Sequence, residues 1–235
     1  MDKKHLIIMF AKAPQPGRVK TRLQPDFTPE QSAGLYGAFL LDLSERILSG
    51  SQGHAGWLSL AGEREHPVVA QIAQMGVEIV AQTGQSLGDR MADAIDAGLA
   101  AGYATVTLIG SDAPTLPTSL FEDAWRLLET HDVVFGPSFD GGFTLIGARR
   151  SLPTLRSPEL PWSSELTLVA TLQALTQDSF LSALTGFWYD VDEAKDVEFL
   201  ARHLLGALET AEHGSLAPRT AAWLIEQGYG VSGKP

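Results

Sequence analysis

The sequence predicts a single α/β domain over residues 1–235, a three-layer α/β/α arrangement around a mostly parallel sheet. Three observations carry this. Short apolar runs alternate with segments of helical period along nearly the whole chain. The breaks after the strand-like runs hold Gly and Pro together with charged residues. Hydrophobic residues are 44% and charged residues 19% of 235 positions, enough apolar surface for a sizeable core and too little charge for a disordered chain.

Leu6–Phe10 is the first buried strand. Thr28-Pro29-Glu30-Gln31 opens a helix: Thr28 caps, Pro29 suits the first turn, and Gln31 completes a capping box. Leu35, Phe39, Leu43 and Ile47 then recur every four residues, so one apolar face runs to Leu48. Gly56–Leu60 is a strand, Pro67–Met75 a helix stopped by Gly76, and Val77–Ala81 a strand. Leu87–Ala101 is a helix with Met91, Ile95 and Leu99 on one face. The β-branched run Thr105–Ile109 ends at Gly110. A helix from Thr118 to Thr130 precedes strands Val133–Phe135 and Phe143–Ile146, joined by the turn Phe139-Asp140-Gly141-Gly142. Ser163 or Ser164 is expected to cap a helix to Leu175. Phe187–Val191 reads as a strand, and Ala194–Leu205 and Arg219–Gln227 as helices.

Composition excludes several chemistries. The chain has no cysteine, so disulfides, thiolate nucleophiles and cysteine-bound metals are ruled out. The six histidines have no paired spacing for zinc. No stretch is long and apolar enough to span a bilayer and no leader is recognised, so a cytoplasmic location is expected. The net charge of −11 argues against nucleic acid as a partner.

Against that charge, Lys12, Arg18, Lys20 and Arg22 crowd into Ala11–Leu23, directly after the first strand. In parallel sheets ligands bind beyond the carboxyl ends of the strands. Basic side chains there, with Gly17 allowing close backbone approach, suit a di- or triphosphate. It is not a P-loop, because Val19 rather than Gly precedes Lys20-Thr21, and no dinucleotide-type Gly-x-Gly-x-x-Gly follows any strand. Replacing Arg18 or Lys20 is expected to weaken nucleotide binding with little loss of stability. Asp112 leaves the end of a buried strand and can offer a carboxylate to a hard cation, or bond its own turn. Asp190 and Asp192 form the only Asp-x-Asp; one is expected to face a metal and the other to cap the next helix. No Gly-x-Ser-x-Gly elbow and no clear general base is found.

Taken together, "FAKAPQPGRVKTRL", "QSLGDRMADA", "LIGSDAPTLP", "GPSFDGGFTLIG", "ELPWSSELTL" and "WYDVDEAKDVEFL" resemble the bacterial DUF2064 group, the radical-SAM/selenodomain-associated transferase 1 family. The resemblance implies a GT-A fold of the nucleotide-diphospho-sugar transferase superfamily and an enzyme needing Mg²⁺ or Mn²⁺. It implies a nucleotide site at Ala11, Lys12, Ala13, Gly17, Arg18, Lys20, Arg22, Gln85 and Arg90. Asp112 and Lys20 would be catalytic, and Asp112, Asp190 and Asp192 would hold the metal. Asp140, Gly141, Gly142 and Trp162 would line the acceptor or sugar side. The partners implied are a nucleotide or nucleotide-sugar and an acceptor. Glycosyl transfer, guanylyltransferase-like nucleotidyl transfer and non-catalytic nucleotide binding all remain open. A single carboxylate after the central strand, where glycosyltransferases carry Asp-x-Asp, weakens the first.

Overall fold

A computed structural model describes residues 4–49, 54–205 and 216–230. Its centre is a seven-stranded sheet in the order β3-β2-β1-β4-β6-β5-β7. The strands are β1 (His5–Lys12), β2 (His54–Ala61), β3 (Glu78–Ala81), β4 (Thr105–Ile109), β5 (Val133–Pro137), β6 (Phe143–Ala148) and β7 (Ser182–Leu184). Only β6 runs antiparallel to its neighbours. The register aligns Ala11 with Leu60 and Leu60 with Ala81, and Met9 with Ile109. The loops after Lys12, Ala81 and Ile109 therefore leave at one edge, where the sequence places the site.

Buried strands alternate their side chains between two apolar layers. Ile7, Met9 and Ala11 face a layer with α1 (Pro29–Leu48), α2 (Pro67–Gln74), α4 (Thr118–Leu128), α6 (Ala194–Leu205) and α7 (Pro218–Glu226). Leu6 and Ile8 face a layer with α3 (Leu87–Ala100) and α5 (Thr167–Gln177). On α1, Thr28 Oγ1 accepts from the Gln31 amide and Gln31 Oε1 from the Thr28 amide, the expected box. Leu35, Phe39, Leu43 and Ile47 are all fully buried.

Two expected elements differ. The α5 helix begins at Thr167, later than a Ser163 or Ser164 cap requires. Ser163 is left-handed at φ 61°, and Ser164 spends its side chain locally, its hydroxyl accepting from the Leu166 amide and donating to the Pro161 carbonyl. Such local bonds compete with helix initiation. The segment 187–191 is not a strand. Pairing shifts at Gly136/Pro137, and beyond it only an isolated bridge joins Ser138 to Trp188. The chain is drawn instead to the end of β4, where the Val191 amide bonds the Asp112 carbonyl at 2.8 Å. The outer strand is β7, a short edge segment with little sequence signal.

Candidate functional site

The basic loop splits into two parts. Lys12 and Arg18 are exposed and, with Ala13, Gln15, Ala61 and Gly62, line a concavity of about 260 Å³ at the carboxyl ends of β1 and β2. A hollow of about 530 Å³ lies on the far side of Pro14 and Pro16, among α1, α2 and α7. The smaller one is lined by Lys12 and Arg18, whereas the arginine of the larger one, Arg219, is paired with Asp42 and Glu45. Gly17 turns the loop at φ 76°. At the back of the loop Gln82 donates to the carbonyls of Ser59 (2.9 Å) and Ala11 (3.4 Å), tying three strand ends together.

Lys20 turns inward. Its φ of 47° is uncommon for a residue with a Cβ. Its side chain is only 4% exposed. The ammonium lies 2.5 Å from Asp112 Oδ1, 2.9 Å from Asp192 Oδ1 and 2.6 Å from the Val191 carbonyl. Burial would lower its pKa, but Asp112 and Asp192 raise it above the ordinary lysine value. The ammonium thus fastens three loops from distant parts of the chain. This burial makes a loss of stability the expected result of replacing Lys20, where the sequence led us to expect little, while Arg18 is exposed. Arg22, itself exposed, reaches the other oxygen of Asp192 at 3.4 Å.

Neither Asp190 nor Asp192 caps α6. Asp196 does so, accepting from the amides of Asp192 (3.0 Å) and Glu193 (2.8 Å). A carboxylate inside the first turn serves the free N–H groups as well as a preceding one. Asp190 is half-buried, and burial with the charges of Asp140, Asp192 and Asp112 pushes its pKa up to about 6. Asp140 closes its own turn, accepting from the Gly142 amide at 2.9 Å and from the Ser138 hydroxyl.

The structure thus brings Lys20, Arg22, Asp112, Asp140, Asp190 and Asp192 together. Tyr36, on α1, was missed. Its buried hydroxyl accepts from the Lys12 amide (3.2 Å) and bonds Ser111 Oγ (2.7 Å), joining the basic loop to the Asp112 loop. Burial and the Asp112 charge push its pKa up to about 12. It lies outside the four-residue series of Leu35, Phe39, Leu43 and Ile47, so the sequence pattern did not single it out. Gln85 and Arg90 sit beside the start of α3, where Ser86 and Asp89 form a capping box and Arg90 bonds the Gly84 carbonyl. Trp162 packs on Gly88 of α3; a Cβ at Gly88 would overlap the Leu155 carbonyl. Arg156 clamps this loop to α3 through Asp93 (2.6 Å) and Asp96 (3.0 Å). Gly141, at φ 86°, abuts the Glu165 backbone, and its carbonyl accepts from the Leu168 amide.

For a divalent cation the donors are right in kind, since carboxylate oxygens suit Mg²⁺ and Mn²⁺. Among the described residues no three acidic or histidine side chains form a ready cage. Lys20 stands between Asp112 and Asp192. Any ion there would draw on Asp112 and Asp190 and on oxygens of a substrate.

The family described as an uncharacterized protein conserved in bacteria (DUF2064) matches residues 47–164, half of the chain. The chain belongs to the DUF2064 family. The matched part of DUF2064 includes Asp112, Asp140 and Trp162; the basic loop and the Asp190–Asp192 segment lie outside it. The chain is 30% identical over 137 residues to a 3-phospho-D-glycerate guanylyltransferase from Phenylobacterium zucineum (strain HLK1), covering 57% of this chain and 62% of that protein. It spans less than two thirds of that relative. A candidate nucleotide-diphospho-sugar transferase from Desulfovibrio desulfuricans G20 is 27% identical, with a TM-score of 0.82 over 97% of this chain and 96% of that one. A cytidylyltransferase from Leptospira borgpetersenii serovar Hardjo-bovis (strain JB197) shares the fold at 14% identity, with a TM-score of 0.56 over 99% and 98% of the chains. This DUF2064 chain therefore has the GT-A-type fold of nucleotide-diphospho-sugar transferases. No helix among the described residues is long and apolar enough to cross a membrane.

Asp190 gives a pH prediction. Its folded pKa of about 6 lies above the ordinary 3.8, so the folded state holds the proton more tightly. The stability this contributes is present below about pH 4 and lost as pH rises through 6. Asp190→Asn should therefore stabilise the protein at pH 7.5 and not at pH 4. Water reaches the group, so the gain is about 1 kcal/mol rather than the full shift. Urea denaturation at the two pH values checks it; equal gains at both would show that Asp190 carries no repelled charge.

Proposed function

We propose that this protein transfers a nucleotidyl group from a nucleoside triphosphate to an acceptor, releasing pyrophosphate. The observation that carries the reading is the Lys20 ammonium, buried between Asp112 and Asp192 behind an exposed Lys12–Arg18 phosphate loop. Lys12 and Arg18 would hold the outer phosphates, with Ala11, Ala13 and Gly17 bringing backbone close and Gln85 and Arg90 flanking the loop. Arg22 would neutralise charge that builds on the α- and β-phosphate oxygens, and Lys20, its three hydrogens given to Asp112, Asp192 and the Val191 carbonyl, would hold Asp112 in position and add positive charge behind the phosphates. An acceptor oxygen would attack the α-phosphorus from the side of Asp140, Gly141 and Gly142, and the bond from the α-phosphorus to the bridging oxygen would break. Asp112 and Asp190 would hold Mg²⁺ or Mn²⁺, because both oxygens of Asp192 are taken by Lys20 and Arg22. A bound cation would supply further charge neutralisation for the leaving pyrophosphate. The single carboxylate after β4 and the guanylyltransferase relative favour this chemistry. Sugar transfer from a nucleotide sugar is the second reading, favoured by the whole-chain likeness to the Desulfovibrio protein.

The test is to titrate nucleoside triphosphates and nucleotide sugars by calorimetry, with and without Mg²⁺ or Mn²⁺, in wild type and Asp112→Asn. Metal should strengthen triphosphate binding by roughly tenfold or more in wild type and much less in the variant, which should fold normally. Equal enhancement in both would remove Asp112 from the metal. Tighter binding of a nucleotide sugar than of any triphosphate would favour the second reading.

A further inference from the structure

Phe139 and Phe187 are 77% and 59% exposed, yet their rings stack on each other, centroids 5.8 Å apart and planes 25° from parallel. They come from different elements. Phe139 is in the β5–β6 turn and directly precedes Asp140; Phe187 lies three residues before Asp190. Leu166, 63% exposed, follows Glu165, whose backbone lies against Gly141. The stacked rings thus sit on the two segments that carry Asp140 and Asp190, and Leu166 adjoins the turn that carries Asp140.

We infer that this apolar platform is the acceptor subsite and that it takes a flat, apolar group without negative charge, such as the aromatic part of an uncharged or cationic acceptor. The inference rests on the transferase reading above. Exposed apolar side chains that adjoin one another mark a contact surface more often than scattered ones do. Two stacked rings present a face that suits a third planar group. Among the described residues, Asp140 is bonded only within its own turn. A phosphoacid placed between the platform and the Asp140 carboxylate would be repelled, whereas an uncharged ring would not. A second copy of the chain fits less well. Three such side chains expose on the order of 400 Å², about half of what a stable interface takes from each partner.

The experiment uses the full chain and saturation-transfer NMR with three probes at equal concentration: 4-nitrophenyl β-D-glucoside, D-glucose and 3-phospho-D-glycerate. In wild type, the nitrophenyl protons should give a signal at least fivefold above the other two probes. Phe139→Ser/Phe187→Ser should lose it at least fivefold, with an unchanged melting temperature and GTP affinity within twofold of wild type. Phe187→Tyr should retain it. Equal or stronger transfer to 3-phospho-D-glycerate would overturn the inference, as would an undiminished nitrophenyl signal in the double variant. Concentration-dependent dimerisation that the double variant abolishes would also overturn it, by assigning the platform to a second copy. If no nucleotide binds wild type while the nitrophenyl preference holds, the transferase reading fails and the aromatic subsite stands.

Discussion

Lys20→Met is expected to lower both nucleotide affinity and stability. The ammonium is buried while its partners Asp112 and Asp192 are 44% and 36% exposed at their side chains. Methionine keeps the length of the side chain and leaves the backbone at the same strained φ, so the loss reports the ammonium, its charge and its hydrogen bonds, rather than packing. Asp112 and Asp192 would then face each other with no cation between them. Breaking a buried pair costs about 3–5 kcal/mol, and solvent on the aspartate side brings the figure to about 2 kcal/mol. Triphosphate affinity should fall by roughly tenfold or more, because the positive charge beside the site is lost and Asp112 is no longer held in place. Denaturation and calorimetry measure the two losses. Adding Asp192→Asn should recover part of the stability, and the coupling in that double-mutant cycle should reach about 1 kcal/mol. A Lys20→Met protein that melts as wild type and binds nucleotide equally well would remove Lys20 from the site.

The second large effect lies in the helical layer. Asp42 of α1 is buried and accepts from the amides of Arg219 (3.1 Å) and Thr220 (2.8 Å) and from the Thr220 hydroxyl (2.7 Å). It also pairs with the Arg219 guanidinium at 3.3 Å. The residue before α7 is Ala217, which has no side chain to cap with. Asp42 therefore caps α7 from another helix. Asp42→Ala would strand two amides, a buried hydroxyl and part of a guanidinium, at a cost of about 3–5 kcal/mol. Asp42→Asn keeps one acceptor oxygen and should lose less. Urea denaturation at pH 7.5 checks both; a loss below about 1 kcal/mol for Asp42→Ala would mean that α7 does not depend on this contact.

The sequence by itself determined the sheet of alternating strands and helices, the Thr28–Gln31 box and the cluster of site loops at one edge. These follow from local rules: residue period, cap chemistry at a spacing of three, and the way parallel strands present their carboxyl ends. Lys12 and Arg18 were legible for the same reason, since loop position and charge are both local. The tertiary structure alone decided that Lys20 is a buried ion-pair centre, because its partner Asp192 is 172 positions away and meets it only when both loops fold over β4. It alone moved the α6 cap from the Asp190–Asp192 pair to Asp196, with the Asp192 oxygens paired to Lys20 and Arg22. Tyr36 and Asp42 were invisible as polar anchors because on α1 they share the apolar face, and what they bond lies 75 and up to 178 positions away. Side-chain pairing over such separations depends on sheet register and helix packing, which no local spacing encodes.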